Sequence, residues 1–333
     1  MKIAVTGAGG FLGRALIERL SKDGHSTLAI VKNEKDLSDF QNDNITPLNL
    51  DISKAENCVG VFSGCDSVIH CAAYRKDYGR WDEFKTNNLD ITLNVMEGIL
   101  ESGVPKVIHI STTAVYGNER NHYGTDEETD YGERVIDYYT QSKIEAEKII
   151  LEYVDQKKLP AVILRPGYIW GTSERRMFPY IINGLKAGRL FFADGSDNVV
   201  SLTYIDNLVE AIVKVLEKDD VVGKIFNITD GSKITSKKFV SDIVNILGIE
   251  YKFRSWPYPL LYGMAMLSEW YYRLTIRKSR PPFTRYAARF FKYDAVFDIS
   301  KAINELDYQP VISYSEGLTL ITPFIRYLYY GSK

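Results

Sequence analysis

A short β-branched run, Lys2-Ile3-Ala4-Val5-Thr6, breaks directly into Gly7-Ala8-Gly9-Gly10-Phe11-Leu12-Gly13, and a helical apolar pattern follows over Phe11–Lys22. Glycine at a strand-to-helix turn lets backbone amides approach a pyrophosphate, and the helix N-terminus adds a partial positive charge there. Gly13 lets the helix pack close to the strand. The spacing is Gly-x-x-Gly-x-x-Gly rather than the commoner Gly-x-Gly-x-x-Gly. A tight turn without a ligand is the alternative reading, and the strand–turn–helix context favours binding. Gly7, Gly10, Phe11, Leu12 and Gly13 are therefore candidate cofactor-binding residues.

The chain beyond the turn fits the same idea. Lys2–Thr6, Ser26–Val31, Ser67–Cys71, Lys106–Ser111 and Ala161–Arg165 read as strands, near-continuously apolar as buried parallel strands should be. Helical patterns over Phe11–Lys22, Asn87–Glu101 and Tyr139–Tyr153 lie between them, with Gly24 and Gly103 placed as helix C-caps. Strand and helix in alternation predict an α/β fold with a doubly wound parallel Rossmann sheet. The second half is less regular, with strands expected at Leu202–Ile205 and Lys224–Ile228 and a helix at Ser236–Leu247. At 333 residues a second, smaller lobe is expected. The division predicted is 1–165 plus about 200–229 for the NAD(P)-binding domain. Residues 166–199 plus 230–333 form a mostly helical substrate lobe.

Composition removes several classes. A net charge of −2 disfavours sequence-independent nucleic-acid binding. Three cysteines, Cys58, Cys65 and Cys71, without metal-ligand spacing read as buried thiols in a reducing compartment, not as disulfides or a metal site. The N-terminus shows no signal-peptide h-region, and the longest apolar stretch, Trp256 to Leu267, is shorter than the ~20 residues a bilayer span needs. A cytoplasmic protein is expected.

Chemistry-bearing residues recur downstream. After the second strand come Val31, Lys32 and Asn33, where a carboxylate would bind the ribose of NAD. Lys32 can instead pair with a 2′-phosphate, which leans the expected cofactor from NAD towards NADP, and a solvated surface lysine is the alternative. Tyr139 and Lys143 stand four apart, on one face of a helix. A lysine cation beside a tyrosine favours the phenolate, so the pair can shuttle a proton to or from an alcohol or carbonyl. The cluster Ser111-Thr112-Thr113 ends an apolar strand, where a hydroxyl can hold the reacting oxygen.

Glycine turn, strand-end hydroxyls and Tyr-x-x-x-Lys in this order closely resemble the extended short-chain dehydrogenase/reductase superfamily of epimerase/dehydratase type. The likeness covers nearly the whole chain. It implies Thr112 as active-site hydroxyl, Tyr139 as acid/base and Lys143 as the ribose-binding, pKa-lowering residue. It implies that Asp51 and Ile52 receive the adenine, and that Cys71, Ala72 and Ala73, after His70, line the cofactor. Asn88 falls on the family's helix start, although the glycine usual in Asn88-Leu89-Asp90-Ile91 is missing. Pro166 and Gly167 match the run beside the nicotinamide, and Thr203-Tyr204-Ile205-Asp206-Asn207 a later family segment.

The C-terminal pattern, from Pro281-Pro282-Phe283-Thr284-Arg285 through Phe297-Asp298-Ile299-Ser300-Lys301-Ala302, is similar to the 3β-hydroxysteroid dehydrogenase-like branch. That likeness implies an oxidoreductase interconverting a secondary alcohol and ketone on a sterol-like or long-chain acyl substrate. Between Asn198 and Ser201 the chain lacks the arginine that many sugar-nucleotide epimerases carry, which counts against the second reading, an NDP-sugar epimerase or dehydratase. A third, non-enzymatic cofactor sensor, would sit poorly with an intact Tyr139 and Lys143. Tyr251–Phe297 holds 14 aromatics in 47 residues, and nine Lys or Arg against the single acid Glu269 up to Tyr293. Over Pro257–Ile276 the apolar residues wrap most of a helix, with Glu269, Arg273 and Arg277 on one narrow stripe. Such a helix buries its wide face either in the lobe or shallowly in lipid. The expected partners are thus a small hydrophobic substrate, peripherally a membrane surface, and a second copy in a homodimer, with no nucleic acid.

Overall fold

The computed structural model describes residues 1–331 except 134, 195 and 276–280. Its centre is a seven-stranded, all-parallel sheet of β1 (Lys2–Thr6), β2 (Ser26–Val31), β3 (Ile45–Asn49), β4 (Ser67–His70), β5 (Val107–Ile110), β6 (Ala161–Pro166) and β7 (Ile225–Ile228). They run side by side in the order 3-2-1-4-5-6-7. This is the doubly wound α/β sheet that the alternation predicts. Every residue of β4, β5 and β6 is buried, which is why those strands are continuously apolar instead of alternating.

β3 was not among the expected strands. Its residues alternate only weakly and include Pro47, which cannot donate to a ladder and is tolerated because β3 is the sheet's edge. Leu202–Tyr204 is extended as expected, yet it pairs with Tyr168–Trp170 outside the central sheet. Helices α1 (Phe11–Lys22), α2 (Ile91–Ser102) and α3 (Tyr138–Lys157) cover the sheet. α2 begins four residues later than the periodicity predicts, because Lys85–Asp90 winds as a π-helical turn. Gly103 ends α2 at φ +65°, and Gly24 follows α1 at φ +79°, both in the left-handed region that favours glycine.

The lobe is not separately cored. One apolar cluster runs from Val5 and Leu16 through Val162 and Leu164 to Trp170, Phe178, Phe239 and Tyr308, so sheet and lobe are held by shared side chains.

The long lobe helix α4 (Tyr258–Thr275) departs from expectation. Glu269, on the narrow polar stripe, points inward and is 6% exposed. A buried carboxylate needs a partner, and Arg285 supplies one, donating from Nε and from its backbone N–H at 2.8 Å each. Leu261 and Ala265 are buried on the same side, whereas Leu267 and Trp270 face outward and are each 62% exposed. Ile276 and Arg277, the end of that expected helix and stripe, lie outside the described residues.

Candidate active site

The glycine turn is sterically closed to any side chain. Gly7 sits at φ +71°, and a Cβ there would lie 2.8 Å from the backbone of Ala72. A Cβ at Gly13 would lie 2.3 Å from the Gly7 carbonyl oxygen, so α1 packs against the turn only because no side chain intervenes. Gly10 caps α1 without a side-chain acceptor, and no acid stands in the first turn. The leading amides of α1 therefore face outward with their partial positive charge uncompensated, which fits the pyrophosphate of a dinucleotide. Phe11 and Leu12 open the helix. Across the turn Cys71, Ala72 and Ala73 continue β4, with the Cys71 N–H donating to Thr6 O at 3.2 Å.

Beyond β2, Lys32 is exposed and donates to Asn87 Oδ1 at 3.2 Å. Asp51 accepts from the Ser53 hydroxyl at 2.7 Å, a bond that holds its carboxyl below the usual range, and Ile52 beside it is buried. The structure adds an acid that sequence reading missed. Asp36 reaches back over the turn, so close that a Cβ on Gly9 would lie 2.9 Å from its carboxylate. Arg14 donates to Asp36 at 2.9 Å, to Gly9 O at 2.9 Å and to Asp39. Asp36, five residues past Val31, is thus brought to the glycine turn by a loop whose direction no local pattern encodes.

Sheet register assembles the next layer. Thr6 pairs with His70 and His70 with His109, which lines up three polar residues at the carboxyl ends of β1, β4 and β5. Thr6 Oγ1 lies 2.7 Å from His70 Nδ1, and the two imidazoles are 5.3 Å apart. Lys143, 2% exposed, ends this row: its ammonium donates to Ile110 O at 2.7 Å and meets His109 Nε2 at 3.0 Å. A lysine can only donate, so His109 accepts through Nε2 and carries its proton on Nδ1, which is buried without a partner among the described residues. His109 is a positioning group that the sequence did not announce, since a histidine in an apolar strand looks like ordinary core.

Burial dominates the electrostatics here. It lowers Lys143 to about 8, His70 to about 3 and His109 well below its ordinary 6.5. Histidines of the unfolded chain titrate near 6.5, so below that pH the unfolded state binds more protons. The contribution of these two rings is complete above pH 6.5 and lost as pH falls towards 3. About 1.4 kcal/mol per pH unit per ring follows from the linkage relation. The urea midpoint should therefore fall steadily from pH 6.5 to pH 4, and a midpoint that stays flat across that range contradicts the neutral pair.

Tyr139 and Lys143 occupy the same face of α3, one turn apart. The Tyr139 hydroxyl lies near Thr112, whose side chain caps the next turn by accepting from Ala114 N at 3.2 Å. Burial raises the Tyr139 phenol, opposed by Arg75 and Arg176. The Lys143 ammonium is turned towards Ile110 O and His109. Tyr168 and Tyr286, near one another, close the other side, and Tyr286 feels the charge of Tyr139. Sequence patterns flagged none of Arg75, Arg176, Tyr168 and Tyr286 as site residues.

Asn88 tethers the site more than it opens it. Its amide donates to Ser142 Oγ at 2.7 Å and Tyr74 O at 3.2 Å, and its oxygen accepts from Tyr74 N at 2.6 Å. Pro166 ends β6, and Gly167 comes next, so near Ser201 that a Cβ would lie 2.5 Å from its carbonyl oxygen. Among the described residues no group of His, Cys, Asp or Glu could hold a metal, and the three cysteines are free.

This arrangement has wide parallels. The NAD dependent epimerase/dehydratase family matches residues 3–229. A 2-alkyl-3-oxoalkanoate reductase of Shewanella oneidensis is 28% identical over 94% of this chain and 84% of its own. A decarboxylating sterol-4-alpha-carboxylate 3-dehydrogenase of Mus musculus is 27% identical over 95% of this chain and 89% of its own. Among solved structures, UDP-glucuronic acid 4-epimerase from Bacillus cereus in complex with NAD superposes with a TM-score of 0.78, at 25% identity over 99% of this chain and 100% of that one. The chain belongs to the NAD dependent epimerase/dehydratase family and is an NAD-dependent enzyme of the extended short-chain dehydrogenase type.

Proposed function

We propose that the enzyme interconverts a ketone and a secondary alcohol on a hydrophobic substrate, of long-chain 3-oxoacyl or sterol type. The observation that carries this is the half-buried Tyr139 next to Thr112, one helical turn from the buried Lys143 and bordered by Tyr168 and Tyr286. A nicotinamide coenzyme bound on Gly7, Gly10 and Gly13 supplies or accepts the hydride. Thr112 holds the substrate oxygen at a fixed distance, which is a positioning effect. Tyr139, kept protonated by burial, has a proton to give to that oxygen, and this suits it to the reductive direction. Lys143 holds a cation beneath the site and is itself aimed by Ile110 O and His109.

Support for a lipidic over a sugar substrate comes from two sides. Two relatives that align over most of their length are named for oxoalkanoate and sterol chemistry. At the position where many epimerases carry an arginine, Asn198 clips the lobe instead, donating to Phe290 O and Tyr293 O at 3.0 and 2.9 Å. We read the division between cofactor domain and lobe as the sequence drew it, and the protein as cytoplasmic.

The deciding assay offers a long-chain 3-oxo ester and UDP-glucuronic acid to the purified enzyme with NADH and NADPH. Coenzyme oxidation with the ester is expected. Turnover of the sugar nucleotide alone overturns the reading. In the same assay Lys32→Ala should lower the ratio of kcat/KM for NADPH over NADH, because Lys32 is the exposed cation past β2 while Arg14 is engaged by Asp36 and Asp39. An unchanged ratio removes Lys32 from coenzyme selection.

A further inference from the structure

Helix α4 carries apolar side chains on its outer side as well as its inner one. Along its outer side Leu260, Met264, Leu267, Tyr271 and Leu274 recur at steps of four and three residues. With Met266 and Trp270 they are between 39% and 62% exposed. Its inner side is lined by Leu261, Ala265 and Glu269, the last paired with Arg285, while the exposed Arg273 lies 5.8 Å from the centre of the Tyr78 ring. Helices on water-soluble surfaces carry polar residues on their outer side, and a contiguous apolar patch of this kind marks a surface that something covers.

The surrounding charges indicate what covers it. The one acid between Tyr251 and Tyr293 is Glu269, which is buried, so no anion of this segment faces outward. Lys252 and Arg254 are exposed ahead of the helix, with Trp256 next to them, and Arg277, Lys278 and Arg280 come after it in the sequence. An apolar band with cations before and after it matches an anionic lipid surface, where side chains enter the headgroup boundary and cations meet phosphates. A second copy docked on the same face would instead bring two strongly basic segments together.

The inner side of α4 gives such docking a use. Glu269 and Arg273 line a small cavity together with Asp137, Tyr138, Arg285 and Tyr286, and Tyr286 in turn feels the charge of Tyr139. One helix thus separates the candidate site from the exposed apolar face.

We propose that α4 docks the enzyme on anionic lipid, outer face inserted, so that a lipid-chain substrate enters the site from the bilayer. This rests on the proposed hydrophobic substrate. The test floats the full chain with equimolar phosphatidylglycerol/phosphatidylcholine vesicles and with pure phosphatidylcholine vesicles, at low and high salt. Binding to the anionic vesicles is expected, weakened by salt. Leu267→Ser/Trp270→Ser should reduce partitioning by about tenfold or more, because both side chains leave the inserted face. Both positions are exposed, so an unchanged urea midpoint verifies that the variant folds. Absence of binding at low salt, equal binding by the variant, or a wild-type dimer that the variant dissolves each overturns the proposal. Reduction of a short, water-soluble 3-oxo ester separates the two readings. Activity without vesicle binding sinks the docking alone, and vesicle binding without any ketone reduction sinks the substrate reading alone.

Discussion

Replacing Tyr139 by phenylalanine is expected to slow turnover by about 10²–10⁴-fold, the usual contribution of a positioned acid/base, with coenzyme affinity nearly unchanged. The substitution removes only the transferable proton, since the ring and the packing of α3 remain. Steady-state kinetics beside coenzyme binding by fluorescence separates the two quantities. Tyr138 is the internal control. Its ring packs against Trp81 and Phe84, with centroids 5.7 and 6.1 Å away, so Tyr138→Phe should change little. Near-normal turnover of the Tyr139 variant removes Tyr139 from the chemistry.

The second large effect concerns stability. Arg165 on β6 and Glu147 on α3 form a buried pair, 3% and 0% exposed at the side chain, with 2.7 Å between Nη2 and Oε2. Arg165 also donates to the Tyr116 hydroxyl at 2.7 Å, and that hydroxyl to Asn227 Oδ1 at 2.9 Å. Arg165→Met leaves an uncompensated carboxylate in the interior and should cost about 3–5 kcal/mol of unfolding free energy. Adding Glu147→Leu removes the stranded charge and should recover most of that loss. Urea titration of both variants measures the difference. A single-variant loss below about 1 kcal/mol contradicts a tightly held pair. Tyr139, Lys143 and Glu147 stand four apart along α3, so this pair also fixes the face that presents the acid/base.

The strands and helices around the glycine turn were legible because burial on both sides of a parallel sheet leaves continuous apolar runs, and because Gly7 and Gly13 have a single steric explanation. β3 was hidden by Pro47 and by the half-exposed character of an edge. At the site, motif spacing located Thr112, Tyr139 and Lys143, all of which lie on local elements. Asp36, His109, Arg176 and Tyr286 were not legible, because each arrives through turn direction, strand register or a distant part of the lobe. The burial of Glu269 was not legible for a related reason. Helical periodicity says which residues share a face, and only tertiary packing says which way that face turns.

The place of β7 in the chain bears on how the protein is made. β7 lies beside β6 in space but comes some sixty residues after it in synthesis, and it brings Asn227 to Tyr116. A ribosome that has released the chain only as far as β6 presents six strands whose last member is wholly buried in the finished fold and has one open side. An unpaired edge of that composition is a template for pairing with other chains. The interval before Ile225–Ile228 emerges is thus the most aggregation-prone stage of biosynthesis, and a chaperone that shields β6 over that interval would raise the yield of active enzyme.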